Sequence, residues 1–411
     1  MSDMKPMVEF DHNSDEYTAN SVAIMREIRQ KCPVAYTETA GGFWVVAKHA
    51  DVTKADRDTA TFSSHRGGVV IPTSPVQSIP ITLDPPEHGE FRRLISSQLT
   101  GRRTTLWDEF TLQATTSCIN AIVASGKGDL VYDVLNPITA LVTMKILGLD
   151  LSVWKQYAVP FHDIVAHRPG TPGYETGLAG INWVRSRLYE EITMQRDQPR
   201  DGLIAHLLKS QVFGRELTDD ELVLLAQGFI AGGVDTTTAL LSGALVFLED
   251  NPEYRERLRI NPDLVRPATE EFLRYFSPSQ GQARTATVNT EVGGQPVCEG
   301  EKIWMAYGSA NRDEAVFTDP DEMILDRSPN PHLAFGTGNH LCLGAAIARM
   351  EVKVILPQIL QRLADYHIEH AAGQKYTRIG TINGYMSLPA IFTPGPVIDG
   401  GVPGLIVESN V

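Results

Sequence analysis

The stretch from Leu222 to Asp250, LVLLAQGFIAGGVDTTTALLSGALVFLED, limits the possible folds of this chain more than any other. Ahead of it, Thr218-Asp219-Asp220-Glu221 reads as a capping box, in which hydroxyl and carboxylate satisfy the first free N–H groups of a helix. The helix this starts would run about 30 residues and stop near Asn251-Pro252, against a mean of roughly 11–12 in globular proteins. It is apolar nearly all round, so it should cross the centre of the protein rather than lie on its surface. Gly232 and Gly233 weaken its middle, at roughly 1 kcal/mol each relative to alanine. A groove or bulge that admits a ligand against the backbone is one reason for such a weak point. Asp235 and Thr236 follow at once, and an unpaired buried carboxylate is costly, so Asp235 should be paired or functional. The alternative is that Thr236 bonds back to a carbonyl of its own helix while Asp235 reaches solvent or an arginine.

The rest of the chain is mainly α with a smaller β region. Val34–Thr37 and Phe43–Val46 flank Gly41-Gly42, a hairpin signal. A second hairpin is predicted around Gly293-Gly294, ending in a strand from Lys302 to Ala306. Pro267 suits the first turn of a helix that runs to about Tyr275. Another helix starts after Cys342, through AAIARMEVKVILPQILQRL, with Pro357 expected to bend it or end a segment. There is no repeat and no linker-like stretch. Residues 1–396 therefore read as one integrated domain, and the Gly/Pro-rich residues 397–411 as a loose tail.

The formal net charge of −14 over 411 residues excludes nucleic acid as the main partner, because a phosphate backbone demands a basic face. Cys32, Cys118, Cys298 and Cys342 show no C-x-x-C spacing, so no zinc ribbon or dithiol motif is readable, and so few cysteines suit a reducing compartment. The first three are expected as small buried or half-buried thiols. The polar N-terminus lacks the apolar core of a signal peptide, and no uncharged apolar run approaches the roughly 18 residues of a membrane helix. A soluble, cytoplasmic protein without a membrane partner is expected.

The chemistry concentrates in His332–Gly344, HLAFGTGNHLCLG. Gly336 and Gly338 bracket a turn before Cys342, and Gly344 follows at the mouth of a helix. Glycines let backbone approach something flat or bulky, and a helix N-terminus just after a cysteine favours the thiolate. A phosphate loop would need G-K-[ST], and a dinucleotide loop would need glycine where Leu341 stands. A plain buried cysteine in a glycine-rich turn remains the alternative on these residues alone.

Phe335-Gly336-x-Gly338-x-His340-x-Cys342-x-Gly344 resembles the haem-ligand loop of cytochrome P-450 enzymes, matching every fixed position. Three more motifs of that family stand upstream in the expected order: Asp84–Arg93 with His88 and Arg92, Ala231–Thr237, and Glu271-Phe272-Leu273-Arg274. The resemblance thus spans about residues 30 to 395 and implies the cytochrome P-450 fold, a single domain with a long central helix over the haem. It implies haem b (iron protoporphyrin IX) with Cys342 as metal ligand. His88, Arg92, Arg284, Phe335, His340 and Gly344 are its other implied cofactor-binding residues, although Gly89 stands where the family usually has threonine. Asp235 and Thr236 would be the catalytic acid–alcohol pair beside the O2 site. Glu271, Arg274 and Arg327 would form a structural scaffold on the haem side.

The activity implied is monooxygenation of a small hydrophobic substrate with O2, since a cysteinate pushes electron density onto iron and favours O–O cleavage. Electrons would come from an iron-sulfur ferredoxin with its NAD(P)H reductase. Arg92, Arg93, Arg102, Arg103, Arg349 and Lys353 are candidates for its docking patch. By resemblance, the substrate would meet residues from Val69 to Ile81 including Val76, then Gly228, Ala231, Gly232, Ser279, Gln280, Ile382 and Tyr385. These are mostly apolar or neutral. Together with IPITLDPPEHGEFR, which resembles the camphor-type branch, they suggest a terpenoid, while His65 or Arg66 could instead anchor a carboxylate. A peroxygenase and a non-catalytic haem sensor or carrier are the alternatives. The Asp235-Thr236 pair speaks against the peroxygenase, which needs no proton relay to O2.

Overall fold

A computed structural model describes residues 5–74, 78–99 and 102–405, apart from the side chains of 102 and 103. It divides into two compact units interleaved in sequence. One comprises Met1–Arg92, Glu270–Leu343 and Thr377–Asn383, the other Arg93–Thr269, Gly344–Tyr376 and Gly384–Val411.

The first unit is built on the predicted hairpin. Val34–Thr37 pairs antiparallel with Phe43–Val46, and the turn holds because Gly41 and Gly42 adopt φ of 87° and 93°. A Cβ on Gly42 would come within 2.1 Å of the Tyr36 hydroxyl and would sit on a backbone conformation that side chains rarely adopt, so glycine is favoured there. The hairpin extends into a five-stranded sheet, in the order Val34–Thr37, Phe43–Val46, Lys302–Met305, Gln282–Ala286, Phe62–Ser63. Only Phe43–Val46 and Lys302–Met305 run parallel. Trp44, Val46, Phe62, Ile303 and Met305 form its buried core. The second hairpin pairs Thr290–Val292 with Gln295–Val297, while Lys302–Met305 belongs to the large sheet.

The second unit is mostly helical. In Asn136–Leu147 every residue except Lys145 is buried, as expected of a helix apolar all round. The Thr218–Glu221 capping box forms as read, but the long helix is two pieces, Asp219–Gly233 and Asp235–Asp250, joined at Val234. The break falls where Gly233 lies against the helix Asn136–Leu147: a Cβ there would approach Thr143 Oγ1 to 2.6 Å. Leu130–Leu147 and Asp219–Asp250 are long and apolar enough to cross a membrane, yet their most apolar windows are 89% and 61% buried within the protein.

Four local expectations shift. The helix predicted from Pro267 begins two residues earlier, at Val265, and runs to Phe276. Ala345–Arg362 runs through Pro357 without ending there. The described part of the tail, 397–405, lacks regular structure but is tethered: Asn120 Nδ2 donates to the Ile398 carbonyl and the Val402 N–H donates to Ser117 Oγ. Cys118 is buried and Cys32 half-buried, whereas Cys298 is exposed, contrary to expectation, in the turn before Lys302–Met305.

In the first unit Glu271 and Arg274 are both fully buried. Arg274 Nε and Nη2 grip the Glu271 carboxylate at 2.8 and 2.7 Å, and Arg327 Nε reaches the same carboxylate at 3.1 Å. The remaining guanidinium donors go to the carbonyls of Asn311, Thr318, Asp319, Pro320 and Glu322. The triad thus ties a helix to the irregular segment leading towards Cys342. Removing one partner of a buried pair leaves an uncompensated charge. Glu271→Leu is therefore expected to destabilise the protein by about 3–5 kcal/mol, read as a lower urea midpoint, whereas cutting an exposed surface pair such as Glu27–Lys31 should leave that midpoint nearly unchanged.

Candidate active site

The cysteine loop has neither strand nor long helix to stiffen it. It is closed by backbone: the Cys342 N–H donates to the Phe335 carbonyl at 2.9 Å, and the Gly336 N–H to Leu333 at 2.9 Å. Gly336 and Gly338 take φ of 65° and 66°. A Cβ on either would crowd the helix His49–Arg57, lying 3.1 Å from Asp56 Oδ2 and from Arg57 Cα respectively. Cys342 is exposed rather than tucked into the turn, just before Gly344, the N-cap of Ala345–Arg362.

Asp56 anchors this loop, and the motif reading missed it. It is 1% exposed. Its carboxylate accepts from the Thr337 N–H at 2.8 Å, from Tyr307 Oη at 3.1 Å and from Arg284 Nη2 at 3.1 Å. Burial raises its pKa; Arg284, the Thr337 N–H and Tyr307 oppose the rise. One signal existed: a carboxylate in the last turn of a helix opposes the helix dipole and so needs another reason to be there.

His88 and His340 lie with ring centroids 4.1 Å apart. Burial, Arg92 and Arg284 push the His88 pKa down to about 4, against a pull from Asp84. Burial, Arg284, His88 and Arg92 push that of His340 down to about 3. Arg92 is itself lowered by burial, with Cys342 opposing. Four basic side chains therefore crowd one another in the first unit. His340 Nδ1 and Arg284 Nε are buried without a hydrogen-bond partner. A flat group carrying two carboxylates fits this cradle, since its charge would relieve the repulsion and its oxygens would take the unused donors. The two propionates of haem meet that description. A Cβ at Gly89 would meet nothing within 4 Å, so sterics do not demand glycine there.

In the second unit, Asp235 is 0% exposed and hydrogen-bonded to His162 Nδ1 at 2.8 Å, with Tyr376 Oη donating to the same Oδ1 at 3.3 Å. Neither partner was anticipated: the acid meets neither solvent nor arginine. Thr236 Oγ1 donates to the Gly232 carbonyl at 2.8 Å, the back-bond weighed from the sequence. A Cβ on Gly232 would meet nothing within 4 Å, so the helix surface is open at that turn.

The substrate candidates divide between the units. In the first, Ser279 bridges Ile382, and Gln280 is occupied, accepting from Tyr17 Oη and donating to the carbonyls of Phe276 and Ser277. Ile81 is half-buried, and Val76 lies outside the described residues. In the second, Gly228 and Ala231 are half-buried and Gly232 is exposed along one helix, and Tyr385 stands on a strand paired with Gln374–Lys375. Of the cationic candidates on that unit, Arg93 and Arg349 are exposed and Lys353 pairs with Asp108 at 3.3 Å.

Comparison with known proteins places this geometry. The sequence model of the family Cytochrome P450 matches residues 182–365. Cytochrome P450 130 of Mycobacterium tuberculosis (strain CDC 1551 / Oshkosh) is 32% identical over 388 residues, 90% of this chain and 96% of that protein. The Steroid C26-monooxygenase of the same strain is 30% identical over 362 residues, 86% and 96% of the two chains. The solved structure of Mycobacterium marinum cytochrome P450 CYP268A2 in complex with pseudoionone matches with a TM-score of 0.87 at 26% identity, covering 95% of this chain and 100% of that one. This chain belongs to the cytochrome P450 family, as a monooxygenase whose haem takes the thiolate of Cys342 as its axial ligand.

Proposed function

We propose that this enzyme hydroxylates a small, neutral, hydrophobic substrate, terpenoid-like in character, with electrons from an iron-sulfur ferredoxin and its NAD(P)H reductase. The observation that carries the reading is the pairing of a fully buried carboxylate, Asp235, with Thr236 at an open turn of a broken helix. A protein that only carried or sensed a ligand would have no use for a buried acid held in readiness there. When bound, the haem activates O2 for insertion into a C–H bond. The chain's own residues hold it and move protons. In this reading residues 1–396 form the haem domain and 397–411 a tail. His88, Arg92, Arg284 and His340 take the propionates, and Phe335 and Gly344 line the cysteine loop. Asp235 Oδ2, buried without a partner, passes protons on, and the Thr236 hydroxyl receives them.

Several observations support a neutral substrate. The candidates Ile81, Gly228, Ala231, Gly232, Ser279, Ile382 and Tyr385 carry no charge, as does Val76 in sequence. Arg66, which could have anchored a carboxylate, already stands 3.6 Å from Glu299. A relative is named for steroid oxidation and a structural neighbour holds pseudoionone, both neutral and largely hydrocarbon molecules. Burial of the two helical stretches apolar enough to cross a membrane supports a soluble protein; the cytoplasm is part of this proposal.

With ferredoxin, its reductase, NADH and O2, wild-type protein is expected to form hydroxylated product, and a peroxide-only control to form little. Asp235→Asn should slow product formation by about 10²-fold or more. Thr236→Ala should keep consuming NADH while yielding less product per NADH. Unchanged rate and yield in both variants would remove the proton-transfer role. Arg93→Glu combined with Arg349→Glu is expected to slow reduction by ferredoxin and flatten its dependence on ionic strength; unchanged reduction kinetics would take docking away from that face.

A further inference from the structure

We propose that a cavity beside Val234 is the proton entrance of this enzyme, and that His162 carries protons from its water to Asp235. The inference rests on the reading that Asp235 supplies protons during turnover. The cavity, of about 200 Å³, lies within the second unit, lined by Tyr132, Asn136, Trp154, Ala158, Val159 and His162, with Lys155 and Val234 completing it. Its wall is apolar over most of its area, with polar atoms at a few points.

Those points are the argument. His162 is 3% exposed, and its two ring nitrogens differ in kind: Nδ1 is bound to Asp235 Oδ1, while Nε2 is buried without a partner. Asn136 Oδ1, in the same wall, is likewise buried and unpartnered. Buried polar atoms left open in this way are commonly satisfied by water, and a cavity needs only roughly 10–15 Å³ and two to four polar partners to hold one. This one has room for several molecules and offers an acceptor, an imidazole nitrogen and an ammonium group, Lys155. Imidazole suits the transfer because it can take a proton at one nitrogen while releasing another from the opposite one. A proton from cavity water arrives at Nε2, and the proton on Nδ1 leaves for Asp235 Oδ1. Rotation of the imidazole about its Cβ–Cγ bond, which returns a protonated nitrogen to Asp235, then resets the relay. One proton enters, one leaves, and no electron moves.

The surroundings suit a relay more than a static ion pair. Besides Asp235, the groups facing His162 are Asp163 on its own helix, Tyr376 Oη at 3.4 Å from Nδ1, and the Tyr132 ring at 6.2 Å. Burial favours neutral imidazole, but the hydrogen bond and charge of Asp235, aided by Asp163, outweigh it and raise the His162 pKa. The ring therefore stays protonable to higher pH than a free histidine, and delivery should fall as pH rises through that raised value. Tyr376, buried beside Asp235, has its own pKa raised well above the ordinary range and stays a neutral donor.

The test uses the holoenzyme with its redox partners. In His162→Gln, product formation is expected to drop about 10–100-fold, with a larger solvent isotope effect and loss of the high-pH inflection, while the substrate-induced spin shift keeps its midpoint. Val159→Trp plugs the cavity at a half-exposed position without touching the pair. It should slow turnover in the same way, while ring-nitrogen NMR of His162 still reports the Nδ1 proton held by Asp235. If His162→Gln does not fold, Val159→Trp decides alone. Wild-type rates and pH profiles in the variants, beside a slow Asp235→Asn, would overturn the entrance and leave the role of Asp235 standing. A normal Asp235→Asn would bring both down.

Discussion

A loop without a strand or long helix must present Cys342, and the buried carboxylate of Asp56 fixes that loop. One side chain takes the Thr337 N–H, the Tyr307 hydroxyl and an edge of Arg284. It therefore sets the backbone that carries the sulfur and one of the guanidinium groups that would receive a propionate. The two tasks cannot drift apart without breaking a buried charged contact, and a buried carboxylate stripped of its donors is costly. The Glu271–Arg274–Arg327 triad does similar work one step back, holding the segment that leads into the loop.

In the second unit the governing constraint is close packing. Gly233 has no room for a side chain against Thr143, and the long helix breaks at the next residue. The break puts Asp235 at the start of the following helical piece, where a negative side chain is favoured by the dipole and where His162 and Tyr376 can both reach it. Within a few residues this helix thus combines a tightly packed glycine, an open surface at Gly232 and a held carboxylate beside Thr236.

What was legible in the sequence rested on local rules. The hairpin at Gly41-Gly42 and the capping box at Thr218 depend on neighbours a few residues apart, and both formed as read. The cysteine loop was legible because its glycines and cysteine are fixed by one turn. What escaped depends on partners that only the fold brings together. His162 lies 73 residues from Asp235, Tyr376 lies 141 away, and Arg284 lies 228 from Asp56. No periodicity or spacing joins such positions. The helix break was half legible: the two glycines announced a weak point, but the nearness of Thr143, which leaves Gly233 no room for a side chain, shows only in the fold. Gln280 shows the converse, a polar residue whose amide is occupied by Tyr17 and by backbone carbonyls, a commitment sequence reading could not see.

The central claim is a bond between the sulfur of Cys342 and haem iron, and the absorption spectrum of the reduced protein under carbon monoxide tests it most directly. Thiolate ligation predicts a strongly red-shifted Soret band in the wild type, lost in Cys342→Ser even where that variant retains haem. A wild type without the shifted band, or a variant that keeps it, would contradict the account.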